Sequence, residues 1–213
     1  MKIAVIFYHK NIEALYNKMW IQRCKKSMKD QTYADFDVIE LNYGTDHKQY
    51  FEGVRKNYIF LEHEFENHIG AMNYLYDLLF SNGYDVVFNT NCDDFYSKAR
   101  IYRQMNAIIK GYQLVSSNFY YVDALGDQTK TMKFDEKNIE KELVFNHNII
   151  AHPVIAMHKS FWDTGLKYED SIGNEDLKLW KRAVEAGIKI KILPDFLLYY
   201  RIHDKQITHQ FRE

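Results

Sequence analysis

The sequence predicts an α/β fold with a mostly parallel central sheet flanked by helices, and three observations carry that expectation. Apolar strand-like runs alternate with stretches of helical spacing. Two of those runs, KIAVIFYH and YDVVFNTN, read as buried strands that end in polar residues. Only two prolines occur, with no Gly/Ser-rich linker, repeat or low-complexity tract, so nothing divides the 213 residues. That length fits one domain with a real hydrophobic core.

The elements follow in order. Residues 2–9 read as the first strand. Residues 11–29 have helical spacing through Ile12, Leu15, Met19 and Trp20. Strands are predicted over 35–43, 58–62 and 84–91, with a helix over 67–80 before the last. An amphipathic run follows Asp94. In the second half, 113–124 and 129–135 read as strands around a turn at Gly126, and 154–158 as a short strand. Residues 174–187 make a helix, with Asn174 at the cap, acids in the first turn and a terminal glycine. Residues 189–203 are extended, with an interruption at Pro194. The first half, 1–95, thus reads as a nucleotide-type half-sheet, and 96–213 as its substrate-binding elaboration.

The totals exclude several classes. Twenty-eight basic and 29 acidic residues give a formal charge of −1, without the basic excess that nucleic-acid binding needs. No apolar run approaches the length of a membrane span, and the apolar run of the N-terminus is too short for a signal peptide. Two cysteines, Cys24 and Cys92, make neither a disulfide framework nor a thiolate metal site. A soluble cytoplasmic protein is expected, meeting any membrane only through partners or further domains. The chain stops abruptly at HQFRE, as a piece of a longer protein would.

Ligands of open parallel sheets collect beyond the carboxyl ends of the strands. Three such ends are polar here: Tyr8-His9-Lys10, Asn42-Tyr43-Gly44-Thr45 and Asn91-Cys92-Asp93-Asp94. Adjacent carboxylates repel unless a cation or ligand intervenes. Hard oxygen donors suit Mg²⁺ or Mn²⁺, which also bridge substrate phosphates. Acidic pairs are common in solvated loops, and only the place of this one, directly after a buried strand, sets it apart. Glu175 and Asp176 open a helix, where the dipole favours acids. The same place suits a catalytic base held on a rigid element. Arg201 and His203 lie two apart on an extended run and share a face. Together they suit a diphosphate and its metal, although a solvated edge strand reads the same way. His147, His152 and His158 have no compact metal spacing. Trp162 and most of the 17 tyrosines are expected to pack in the core.

In this order the motifs resemble those of family 2 glycosyltransferases of the GT-A fold, and the resemblance covers nearly the whole chain. Gln31-Thr32-Tyr33 matches the family's Gln-Thr-Tyr turn. Asn91-Cys92-Asp93-Asp94 falls at its Asp-x-Asp motif, with Arg100-Ile101 a helical step later. Asn174-Glu175-Asp176 is similar to the x-Glu-Asp motif, and Tyr199-Tyr200-Arg201-Ile202-His203 to the closing Tyr-Arg-x-His. His68 to Asn73 loosely matches a Gly-x-x-Asn region.

The resemblance implies inverting transfer of a hexose from a UDP-sugar, UDP-glucose or a related one, to a hydroxyl of a glycan or glycolipid. It implies Mn²⁺ or Mg²⁺ on Asp93, Asp94 and His203, with Asp93 the main ligand. Asp176 becomes the general base and Glu175 orients a sugar. Tyr8 and His9 flank the nucleobase and Asn42 reads its edge. Asn73, Asn91, Cys92 and Arg201 complete the nucleotide-sugar site, and residues 146–173 shape the acceptor site. Two positions depart from the pattern, because Asn42 and Asn91 stand where acids are usual. They keep open a second reading, a glycosyltransferase-like binding module without catalysis. A nucleotidyltransferase is disfavoured because YHKNIEAL lacks the glycines of a phosphate loop.

Overall fold

The computed structural model describes residues 1–169 and 173–206. The chain runs β1 (Ile3–His9), α1 (Ile12–Leu15), α2 (Lys18–Lys29), β2 (Asp37–Asn42), β3 (Tyr58–Glu62), α3 (His68–Ser81), β4 (Val86–Thr90) and β5 (Phe95–Tyr96). It continues with α4 (Arg100–Ile109), β6 (Leu114–Val122), β7 (Gln128–Met132), α5 (Ile139–Val144), β8 (Ala156–His158), α6 (Lys159–Trp162), α7 (Glu175–Glu185) and β9 (Ile190–Arg201).

The described strands form one sheet in the order β3-β2-β1-β4-β8-β6-β9-β5, with β7 paired to β6. It is parallel from β3 to β4. Beyond β4 it is mixed: β8 is antiparallel to both its neighbours, β9 runs parallel to β6, and β5 returns antiparallel on β9. The expectation of a mostly parallel sheet therefore describes the first half alone. Short apolar runs at 95–96 and 156–158 carry no mark of strand direction, which tertiary pairing decides.

Successive strand residues point to opposite faces. Ala4 and Ile6 of β1 pack under α3 and α7, while Ile3, Val5 and Phe7 pack against α2 and α4. Both faces are covered, which is why β1 and β4 are apolar until their carboxyl ends, where Tyr8-His9 and Asn89-Thr90 stand. Asn67 caps α3 by accepting from the N–H groups of Ile69 and Gly70, at 3.0 and 3.2 Å. The predicted helix 11–29 is broken in two. Tyr16 is extended, and Asn17 starts α2 afresh by accepting from the Met19 N–H at 2.9 Å. Strand β9 passes through Pro194 with only a register shift against Ser117 and Asn118.

Candidate active site

The carboxyl ends of β1, β4 and β9 and the N-terminus of α7 open into one cavity of about 950 Å³. Tyr8, His9, Asn91, Cys92, Asp93, Glu175 and Asp176 all line it.

The loop after β4 turns Asp93 and Asp94 apart. Asp93 faces the cavity, and its Oδ2 lies 2.9 Å from His203 Nε2. Asp94 turns inward. Its Oδ1 accepts the Arg201 N–H at 2.8 Å, while its Oδ2 is buried without a hydrogen-bond partner among the described residues. Burial, then the neighbouring Asp93, pushes the Asp94 carboxyl well above the usual range. The expectation that both aspartates hold a cation is corrected on that ground, since Asp94 anchors the end of β9. Arg100 supports β4 from behind, donating to Thr90 Oγ1 at 3.2 Å and to the Asn89 carbonyl.

Asp93 and His203 fit a divalent ion as a pair. Cis ligands of an octahedral ion bound at roughly 2.0–2.1 Å are about 3 Å apart, close to their 2.9 Å separation. Among the described residues no group of three or more His, Cys, Asp or Glu side chains is placed to hold a metal. A Mg²⁺ or Mn²⁺ ion would therefore need oxygens from a bound diphosphate and water, which is how these ions usually bind. The His203 ring is held against Trp20 and Tyr16, with centroids 4.8 and 5.6 Å away.

Arg201 is 1% exposed and is not a cavity residue. Its Nε donates to the Asp93 carbonyl at 2.9 Å, and its Nη1 to the carbonyls of Asp123 and Ala124 at 2.8 and 2.9 Å. The expected contact with a diphosphate gives way to a clamp on the loop that carries Asp93. Asn42 is corrected likewise. Its amide donates to Asp46 Oδ1 and the Lys48 carbonyl and accepts from the Gly44 N–H, so no edge is left for a base. Asn73 pins the backbone of Tyr168 through both its amide groups and does not reach the cavity.

Across the cavity, Asp176 and Glu175 begin α7. Asp176 accepts from the Leu177 N–H and from Asn148 Nδ2, both at 2.7 Å. Burial, then the Glu175 charge, pushes its pKa up to about 6. Glu175 accepts or shares a proton with His68 Nε2 at 2.7 Å. Burial acts to raise the Glu175 carboxyl, but the His68 hydrogen bond and the nearby His68 and His152 outweigh it and hold the group low. His152 is itself pulled down to about 4, by burial above all, and touches the Tyr168 hydroxyl at 3.0 Å.

Sequence reasoning missed His68 and Glu40 as parts of this site, and reached Asn148 and His152 only as members of the acceptor segment 146–173. Glu40, wholly buried beside β1, accepts from His9 Nε2, the Tyr58 hydroxyl and the N–H groups of Tyr50 and Phe51, at 2.7–2.9 Å. A charged residue in the apolar run DVIELN was the available signal. Nothing in the sequence ties His68 to Glu175. The remaining predicted histidines go elsewhere, His147 to Glu142 and His158 to Ser160. Trp162 stacks on Tyr76 in the core and donates to Asp77. Residues 170–172 of the expected acceptor segment lie outside the described residues.

This fold is that of GT-A-like glycosyltransferases. Staphylococcus aureus TarS, residues 1–349 in complex with UDP-GlcNAc, superposes with a TM-score of 0.72 at 14% identity, over 100% of this chain and 62% of that one. The mannosyltransferase PcManGT of Pyrobaculum calidifontis, in complex with GDP-Man and Mn²⁺, gives 0.64 at 11% identity, over 93% of this chain and 56% of that one. In sequence the chain is 25% identical to the uncharacterised glycosyltransferase MJ1057 of Methanocaldococcus jannaschii, over 91% of this chain and 70% of that protein. No protein-family model matches. The chain spans about three-fifths of the length of these solved structures.

Proposed function

We propose that this chain is a metal-dependent, inverting glycosyltransferase that moves a hexose from a UDP-sugar to a hydroxyl of a glycan or glycolipid. The observation that carries this reading is that one cavity is lined both by Asp93, whose carboxylate is bonded to His203, and by Asp176. Hydroxyl attack on an activated sugar needs a cationic partner for the leaving diphosphate and a base for the acceptor.

Asp176 fits the base. Its pKa of about 6 leaves it ionised at neutral pH yet close enough to accept a proton. Asn148 and the Leu177 N–H fix its two oxygens. Glu175, held by His68, faces the same space and orients a sugar hydroxyl. Asp93 and His203 would hold Mn²⁺ or Mg²⁺, which when bound supplies Lewis-acid neutralisation of charge on the diphosphate. Tyr8, His9, Asn91 and Cys92 line the donor side, and Lys10 and Lys205 bring positive charge to it. UDP is the favoured nucleotide because UDP-GlcNAc is bound by TarS; GDP-Man in PcManGT makes GDP the comparison to run.

We read residues 1–213 as one such domain, with 1–95 binding the nucleotide and 96–213 the acceptor. No described helix is long and apolar enough to cross a membrane. Two buried free thiols, Cys24 and Cys92, suit a reducing cytoplasm.

The test is a donor screen. Purified chain is incubated with UDP-glucose, UDP-GlcNAc, GDP-mannose and dTDP-glucose, with Mn²⁺ or with chelator, and released nucleotide is measured. Metal-dependent release from one donor, lost in Asp93→Ala, is expected. Tight nucleotide binding without release, with or without metal, would point instead to a binding module.

A further inference from the structure

One wall of the cavity has no part in the chemistry above. Phe119 and Tyr121 lie two apart on β6 and point to one face. Tyr121 pairs in register with Tyr200 of β9. The three rings pack on one another, Phe119 to Tyr121 at 5.1 Å and 88°, Tyr121 to Tyr200 at 5.6 Å and 85°, and Phe119 to Tyr200 at 5.8 Å. All three line the cavity that holds Asp93 and Asp176. Mutual packing fixes the rings and presents a rigid apolar surface.

Charge on this side is also informative. Among the described residues that line the cavity, the lysines are Lys10 and Lys205. Both are engaged by backbone outside β6 and β9: Lys10 donates to the carbonyls of Phe65 and Glu66, and Lys205 to that of Ala14. The same cavity is lined by Ile150, Ala151, Pro153 and the amides of Asn146 and Asn148. Asn148 connects this surface to the base through its 2.7 Å bond to Asp176.

We infer that Phe119, Tyr121 and Tyr200 form the acceptor subsite, and that the acceptor is an uncharged sugar ring stacked on this wall. The inference rests on the transferase reading and specifies its substrate class. A pyranose has a C–H face and a rim of hydroxyls. The C–H face suits the negative face of an aromatic ring. The rim suits a few placed polar groups at the edge of an apolar pocket, here the amides and Asp176. Among the described residues no lysine or arginine lines this wall, and a phosphorylated acceptor would meet Asp176 and Glu175 instead, so it is selected against.

The experiment uses the full chain with UDP and Mn²⁺. Saturation-transfer NMR is recorded with methyl glucoside, galactoside, mannoside and N-acetylglucosaminide, and with glucose 6-phosphate and glycerol phosphate. At least one methyl glycoside is expected to bind, with saturation strongest on the C–H protons of one ring face. Tyr121→Ala or Tyr200→Ala should weaken that binding roughly three- to tenfold, while Tyr121→Phe keeps it. UDP binding, followed in each variant, reports folding. Binding of the phosphates in preference to every glycoside would overturn the inference. So would glycoside binding unchanged in both alanine variants, or no glycoside binding by chain that binds UDP. Failure of the unmodified chain to bind any nucleotide would instead sink the transferase reading, and this inference with it.

Discussion

His203 Nε2 lies 2.9 Å from Asp93 Oδ2, and both side chains are almost fully buried, 3% and 9% exposed. The pair joins the last described strand to the loop after β4, across 110 residues of sequence. A proton shared between them, or a cation in its place, satisfies both groups. On the proposed reading, protein supplies two ligands and the diphosphate must supply others, so nucleotide and metal binding are expected to be interdependent. Mn²⁺ should bind weakly to the chain alone and on the order of tenfold or more tightly with UDP present. His203→Ala should reduce donor turnover by about 100-fold and abolish that linkage. Calorimetry of Mn²⁺ with and without UDP checks it, and equal affinity in both would count against the pairing.

Asp176 should control the acid limb of activity. With its pKa up at about 6, kcat/KM is expected to rise through pH 6 and level off above 7. Asp176→Asn should cost about 100- to 10,000-fold in kcat and leave donor binding intact. A pH profile of transfer, compared with one for donor binding, separates the two.

Glu175 is the second cause of that raised pKa, after burial. Glu175→Gln removes its charge and leaves burial in place. The acid limb should therefore move below pH 6 without reaching that of an ordinary aspartate. A limb that stays put, or moves up, would show that Glu175 does not act on Asp176 through charge.

The same shift has a sign for stability. The folded-state pKa of Asp176 lies above the unfolded value, so the folded chain favours the neutral acid. Its contribution is complete below about pH 4 and is lost as pH rises through about 6. Asp176→Asn should raise stability at pH 7.5 by about 1–2 kcal/mol after allowance for partial exposure, and hardly change it at pH 4. Urea unfolding at the two pH values measures the difference.

Glu40 carries a separate prediction. Its carboxylate collects four donors in a fully buried place. Glu40→Ala leaves those donors unpaired and should destabilise the fold by about 3–5 kcal/mol. Hydrogen exchange should show the amides of Tyr50 and Phe51 opening first. His9 would lose its orientation too, and donor affinity should fall.

The strand ends were readable because apolar runs stop where the cavity starts. Asp93 sits just past such an end, Glu175 and Asp176 at a helix start, and the sequence marks both places. What the sequence does not mark is how local hydrogen bonds claim a side chain before any ligand can. Asn42, Asn73 and Arg201 look like ligand-binding residues by type, yet the backbones of Gly44, Tyr168 and Asp93 engage them. His68 presents the converse. It meets Glu175 only because α3 and α7 cover the same face of the sheet. The mixed half of the sheet stayed hidden for a related reason, as a two-residue strand such as β5 exists only by virtue of its partner β9.

Strand β9 lies between β6 and β5, and its end supplies the clamp on Asp93 and leads directly to His203. During synthesis it leaves the ribosome after every other described strand. Until then β5 has no partner on that edge and the Asp93 loop has no clamp. The nascent chain can bury β1 to β4 early, but Asp93 gains its clamp and its His203 partner only when residues beyond 200 emerge. On the proposed reading, a nucleotide added to translating ribosomes should thus protect chains that have exposed His203 from proteolysis and leave shorter ones unprotected.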